Sequence, residues 1–166
     1  MRFSAAEVRA MAEGDFFGVG NAQLPSDPMR MVDRIDCLDK HGGEFQRGYL
    51  RAGLNIRPDH WFFQCHFRND PVMPGCLGLD ALWQLLGVFL ASRGLPGRGR
   101  AIGVGELRFS GQIYPDAGHI DYELHIKRVF ERPMPLAIAD GLVIHNKQVI
   151  YRAKDLRVGL VKGEAA

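Results

Sequence analysis

From Cys76 to Ala91 the chain carries only two strongly polar side chains, Asp80 and Gln84, in an otherwise apolar run. Pro74 and Gly75 stand just before it, where a helix start loses nothing to a missing N–H, and Gly94 and Pro96 follow as stop signals. Read as a helix, the run has Leu77, Leu79, Leu82, Trp83, Leu85, Leu86, Val88, Phe89 and Leu90 around its circumference, which leaves no polar face. Such a helix must be wrapped by the rest of the chain. The run is shorter than the roughly 18–20 residues of a membrane span, so a buried core helix is expected.

The wrapping is legible downstream. Ile120, Tyr122, Leu124 and Ile126 alternate with Asp121, Glu123, His125 and Lys127, the period of a strand with one buried face. Similar stretches run over Gly48–Ile56, Ala101–Ser110, Leu136–His145 and Gln148–Leu160, with turn chemistry at Pro115–Gly118 and Asn146–Lys147. These strands follow one another without helices between them, and short connections favour antiparallel pairing. The expected fold class is α+β: one curved antiparallel sheet closed over one central helix, a single domain over residues 1–166. A separate short helix is expected at the start, with Ser4 as cap, Glu7 as its capping-box partner, Phe3 and Val8 in the staple positions and Gly14 at its end.

At this size a single core suffices without staples. Cys37, Cys65 and Cys76 are odd in number and lack the spacing of a zinc site or a disulfide framework, which fits a reducing compartment. The first residues show no apolar signal segment, and a cytoplasmic location is expected. Twenty-one basic against 19 acidic residues leave a net charge of +2, too small and too interspersed for nucleic-acid binding. Gly97, Gly99, Gly103 and Gly105 lack the strand-before, helix-after context of a dinucleotide loop.

Chemistry concentrates between Phe63 and Trp83, in FQCHFRNDPVMPGCLGLDALW. His66 precedes a proline-rich loop and Asp80 sits inside the apolar helix. Taken singly, His66 reads as a hydrogen-bonded core residue and Asp80 as a buried carboxyl bonded to a strand. Together they suggest a base and a carboxyl kept neutral by burial, able to donate a proton near neutral pH.

The segment HFRNDPVMPGCLGLDALWQLLG resembles the central motif of the 3-hydroxydecanoyl-acyl-carrier-protein dehydratase/isomerase family of bacterial type II fatty acid synthesis. The similarity continues through FFGVGNAQLPSDPMRMVDRI, RAIGVGELRFSGQIYP, IADG and IYRAKDLRVGL, so it covers nearly all of Asp15 to Leu160. The resemblance implies a hot-dog fold, with a long central helix wrapped by an antiparallel sheet. It places the catalytic histidine on His66 and the catalytic aspartate on Asp80, where sister dehydratases carry glutamate. It puts the amide that polarises the thioester carbonyl on Gly75, and the carbonyl that orients the histidine on Val72. It implies dehydration of a 3-hydroxyacyl thioester to the trans-2-enoyl product and isomerisation to cis-3, with no metal and no organic cofactor. It also implies a homodimer in which each site takes its histidine and aspartate from different subunits.

The substrate's acyl carrier protein is acidic, which makes Lys127, Arg128 and Arg132 candidate docking residues, with Arg128 turned inward unless the strand ends before it. Arg68 and Asn69 replace a hydrophobic residue and a glycine of the family pattern. Pro133 and Pro135 replace a basic and an apolar position and are expected to interrupt strand pairing. Three other readings stand beside the bifunctional enzyme: a dehydratase without isomerase activity, a hot-dog thioesterase, and a non-catalytic carrier-binding subunit.

Overall fold

In the computed structural model, which describes residues 1–162, the apolar run forms helix α2 (Gly75–Ser92), and eleven of its side chains or glycines are buried. At 18 residues it is long and apolar enough to cross a membrane, contrary to the length expected for it, but most of it is core. The first helix, α1 (Ala5–Glu13), starts as its capping box requires. Ser4 N donates to Glu7 Oε2 at 2.7 Å and Glu7 N to Ser4 Oγ at 3.3 Å. Gly14 ends it at φ 101°, a left-handed conformation that suits glycine.

Seven strands surround α2: β1 (Arg34–Asp39), β2 (Tyr49–Asn55), β3 (Arg98–Gly103), β4 (Glu106–Phe109), β5 (His119–Phe130), β6 (Leu136–His145) and β7 (Gln148–Val161). They form one antiparallel sheet in the order β1-β2-β5-β6-β7-β3, with β4 also paired to β7. The alternation read in β5 is the observed burial: Ile120, Tyr122, Leu124 and Ile126 are all buried. Gly141 in β6 leaves room for Leu82 of α2, which would stand 3.0 Å from a Cβ there. The β6–β7 hairpin turns on Asn146 and Lys147, both at positive φ (50° and 64°), the geometry that follows the right-handed twist of its strands.

Two expectations change. The stretch Ala101–Ser110 is two strands, because β3 pairs with one half of β7 and β4 with the other, and Gly105 N donates to Lys154 O at the break. The prolines at 133 and 135 leave the ladder intact: they lie in the β5–β6 connection, and Phe130 still pairs with Leu136. β1 had no sequence signal. A bulge between Ile35 and Cys37 spaces its two buried residues, Ile35 and Leu38, three apart and so hides the strand period.

The curvature of the sheet has an electrostatic clasp. One bulge falls at Lys127 in β5 and another opposite Asp140, at Lys154–Asp155 in β7, on either side of β6. Lys127 Nζ reaches Asp155 Oδ1 at 2.7 Å and Asp140 Oδ1 at 3.3 Å, and Asp155 N donates to Asp140 Oδ1 at 3.0 Å. Bulges bend the strands that carry them, and this triad ties two of them together. The Lys127 bulge also resets the alternation, so Arg128 points out to solvent although the strand continues past it.

The hydrogen bond between them raises the pKa of Lys127 and lowers that of Asp155. The Asp155 contribution to stability is therefore present above its unfolded pKa of about 4 and lost as pH falls through the lower folded value; that of Lys127 is lost only at high pH. Lys127→Met should lower the unfolding free energy at pH 7 by about 1 kcal/mol or less, given its partial exposure. Urea titrations should show that difference shrinking in acid; a difference independent of pH would contradict the clasp.

Candidate active site

The loop before α2 is shaped by its own backbone. A 3-10 turn (Trp61–Gln64) ends with His66 N bonded to Phe62 O at 2.9 Å, Phe67 and Asp70 exchange backbone bonds, and Val72 N returns to His66 O at 2.8 Å. His66 Nδ1 lies 2.8 Å from Val72 O. A carbonyl only accepts, so Nδ1 carries the hydrogen, and in the neutral ring Nε2 is the basic nitrogen. Phe67 stacks on the imidazole at 4.0 Å. Arg68 and Asn69 are exposed, and the backbone bonds of the loop close around them.

His66 lines a largely apolar cavity of about 460 Å³ with Val72, Gly75, Leu79, Phe109 and Tyr151. Gly75 opens α2 with Pro74 as cap residue, and among the described residues no side chain caps this end. Its amides and the positive end of the helix dipole therefore remain available to an oxyanion. A Cβ at Gly75 would stand 2.7 Å from the Phe109 ring, so glycine lets that ring close over the helix start. Phe109 meets Tyr151 edge to face at 4.7 Å. Burial pushes the Tyr151 hydroxyl up to about 12, so it stays neutral.

Asp80 does not share this cavity. It lines a separate groove of about 240 Å³ with Trp83, Gln84 and Gly87 of α2, Ala22 and Pro25 of the α1–β1 connection, and Gly99 and Ala101 of β3. It is half-buried, not enclosed, and α2 is not apolar all round: Asp80, Trp83, Gln84 and Gly87 form one incompletely covered stripe. At about 100° per residue this stripe is centred about 130° from Gly75 and about 90° from Leu79, while Cys76, four residues before Asp80, shares its face.

Gln84, which sequence reasoning passed over, holds the aspartate. Its Oε1 accepts from Met31 N at 3.0 Å, while Nε2 donates to Met29 O at 2.9 Å and to Asp80 Oδ2 at 2.6 Å. The two backbone partners decide which end of the amide is which, so Nε2 must face Asp80. The signal available in the sequence was spacing, since residues 80 and 84 share a helix face.

The candidate docking residues are dispersed. Lys127 is engaged with Asp140, Asp155 and the face of Phe45. Arg128 is exposed on β5, and Arg132 is exposed in the β5–β6 connection.

Residues 24–154 match the family described as the FabA-like domain, and the chain belongs to that family. Two solved structures share its fold. The dehydratase heterocomplex ApeI:P from Xenorhabdus doucetiae aligns with TM-score 0.63 and 12% identity over 82% of this chain and 86% of that one. The dehydratase domain from the CurJ module of curacin polyketide synthase aligns with TM-score 0.61 and 9% identity over 98% of this chain and 50% of that one. The fold is therefore the hot-dog fold, as the resemblance implied.

The histidine geometry is open to direct test. At a pH where His66 is neutral, nitrogen chemical shifts should identify Nδ1 as the protonated nitrogen and Nε2 as the bare one; the reverse tautomer would remove the Val72 contact from the account.

Proposed function

We propose that the protein dehydrates 3-hydroxyacyl thioesters carried by an acyl carrier protein and isomerises the trans-2 product to cis-3, as a homodimer of the cytoplasm. The observation that carries this reading is the fixed imidazole: Nδ1 is held by Val72 O, and Nε2 is left as the base in an apolar cavity that begins at a bare helix N-terminus. The Asp80 groove, lying apart from that cavity, supports a site completed by a second chain, and the exposed strand β3 at the sheet edge supports a second copy as the source.

In this reading the thioester oxygen sits at the Gly75 amide, where a pre-aimed donor is worth roughly 3 kcal/mol in rate. His66 Nε2 takes the proton from C2, and the charge that develops on the oxygen is held at the helix end. Asp80 of the partner subunit gives its proton to the departing 3-hydroxyl, which leaves as water while the C2–C3 double bond forms. Donation from Gln84 to Oδ2 then stabilises the resulting carboxylate. For isomerisation the same imidazole removes a proton from C4 and returns one to C2. No step calls on a metal or an organic cofactor. Arg128 and Arg132 are the docking contacts for the acidic carrier, while Lys127 serves the sheet.

The test is product analysis from 3-hydroxydecanoyl thioester. The expected products are trans-2- and cis-3-decenoyl thioesters, with turnover cut by about 10²–10⁴-fold in His66→Ala and in Asp80→Asn. Trans-2 alone would remove the isomerase step. Free acid and thiol would instead mean a thioesterase, and acyl binding without turnover a non-catalytic subunit.

A further inference from the structure

Gly87 is an anomaly in α2. A glycine inside a helix is unfavourable relative to alanine, and where one is needed for packing a neighbour usually occupies the space of the missing Cβ. Gly78 fits that pattern, with the Tyr151 ring 2.5 Å from where its Cβ would be. At Gly87 nothing lies within 4 Å of that position. The glycine borders open space, and that space is the groove that begins at Asp80. Small residues from other elements, Ala22, Gly99 and Ala101, border the same groove, together with Pro25, Val158 and the polar Gln23 and Arg100.

We infer that Gly87 sets the acyl-chain length the protein accepts, by keeping open the part of the Asp80 groove that takes the distal, methyl end of the substrate. This rests on the dehydratase reading, in which Asp80 meets the 3-hydroxyl and the chain beyond C3 must leave that point in some direction. Asp80 and Gly87 are seven residues apart on one helix face, a rise of about 10 Å, the reach of roughly seven or eight extended methylene groups. The groove is therefore long enough for a medium-length tail, and a side chain at 87 would shorten it.

The experiment compares Gly87→Leu and Gly87→Ala with the parent full-length protein on four-carbon and ten-carbon 3-hydroxyacyl thioesters, with oligomeric state and Tm measured alongside. Gly87→Leu should lower kcat/KM for the ten-carbon substrate by at least about tenfold while the four-carbon value stays within about twofold, since apolar contacts in a pocket discriminate on that scale. Gly87→Ala, which favours the helix, should keep or raise Tm and show a smaller loss of the same selectivity, so the comparison survives if the leucine variant fails to fold. Equal losses at both lengths, an unchanged ratio in the folded variant, or loss of the dimer would overturn the inference and assign Gly87 to packing. A parent that turns over neither substrate would overturn the dehydratase reading as well; a parent active on both, with variants that do not discriminate, would overturn the chain-length inference alone.

Discussion

The pitch of one helix governs what this chain can do alone. Gly75 and Leu79 lie against the His66 cavity, Asp80, Gln84 and Gly87 border a separate groove, and Cys76, four residues before Asp80, stands between the two. α2 itself is packed into the sheet along most of its length. The two groups proposed as base and acid are each positioned locally, one by Val72 O and the other by the Gln84 amide, and line separate pockets. In the proposed dimer, a second copy would bring its own Asp80 to this His66.

The helix start combines two properties that are hard to obtain together. It is walled largely by apolar side chains, Phe109, Tyr151 and Leu79, yet it presents backbone N–H groups that, among the described residues, no side chain caps. Donors aimed in advance at a developing oxyanion act without having to reorganise during the reaction. Glycine at 75 is what permits both, since any Cβ there would collide with the Phe109 ring. The sheet, meanwhile, bends at paired bulges held by Lys127 between Asp140 and Asp155, so a lysine that looks like a surface cation in the sequence serves the architecture.

Much of the fold was legible because burial and period coincide. The all-apolar run, the alternation in β5 and the Asn146–Lys147 turn each report a single local constraint. What escaped depends on irregularity or on distant partners. The bulge in β1 spoils its alternation, the break between β3 and β4 lies opposite the bulge at Lys154–Asp155 on β7, and the outward turn of Arg128 follows from the bulge beside it. At the site, His66, Val72, Gly75 and Asp80 were named through a motif. The half-buried state of Asp80 depends on how far the loop containing Ala22 and Pro25 covers α2, and the fixing of Gln84 depends on the Met29 and Met31 backbone; neither is encoded in the neighbouring residues.

Mixing two inactive variants tests the divided site most directly. Equal amounts of His66→Ala and Asp80→Asn, co-expressed so that subunits pair at random, give half mixed dimers, each with one site that retains both groups. If each site takes one group from each chain, the mixture should recover about a quarter of the parental dehydratase activity. Activity no higher than that of either variant alone would contradict a site shared between subunits.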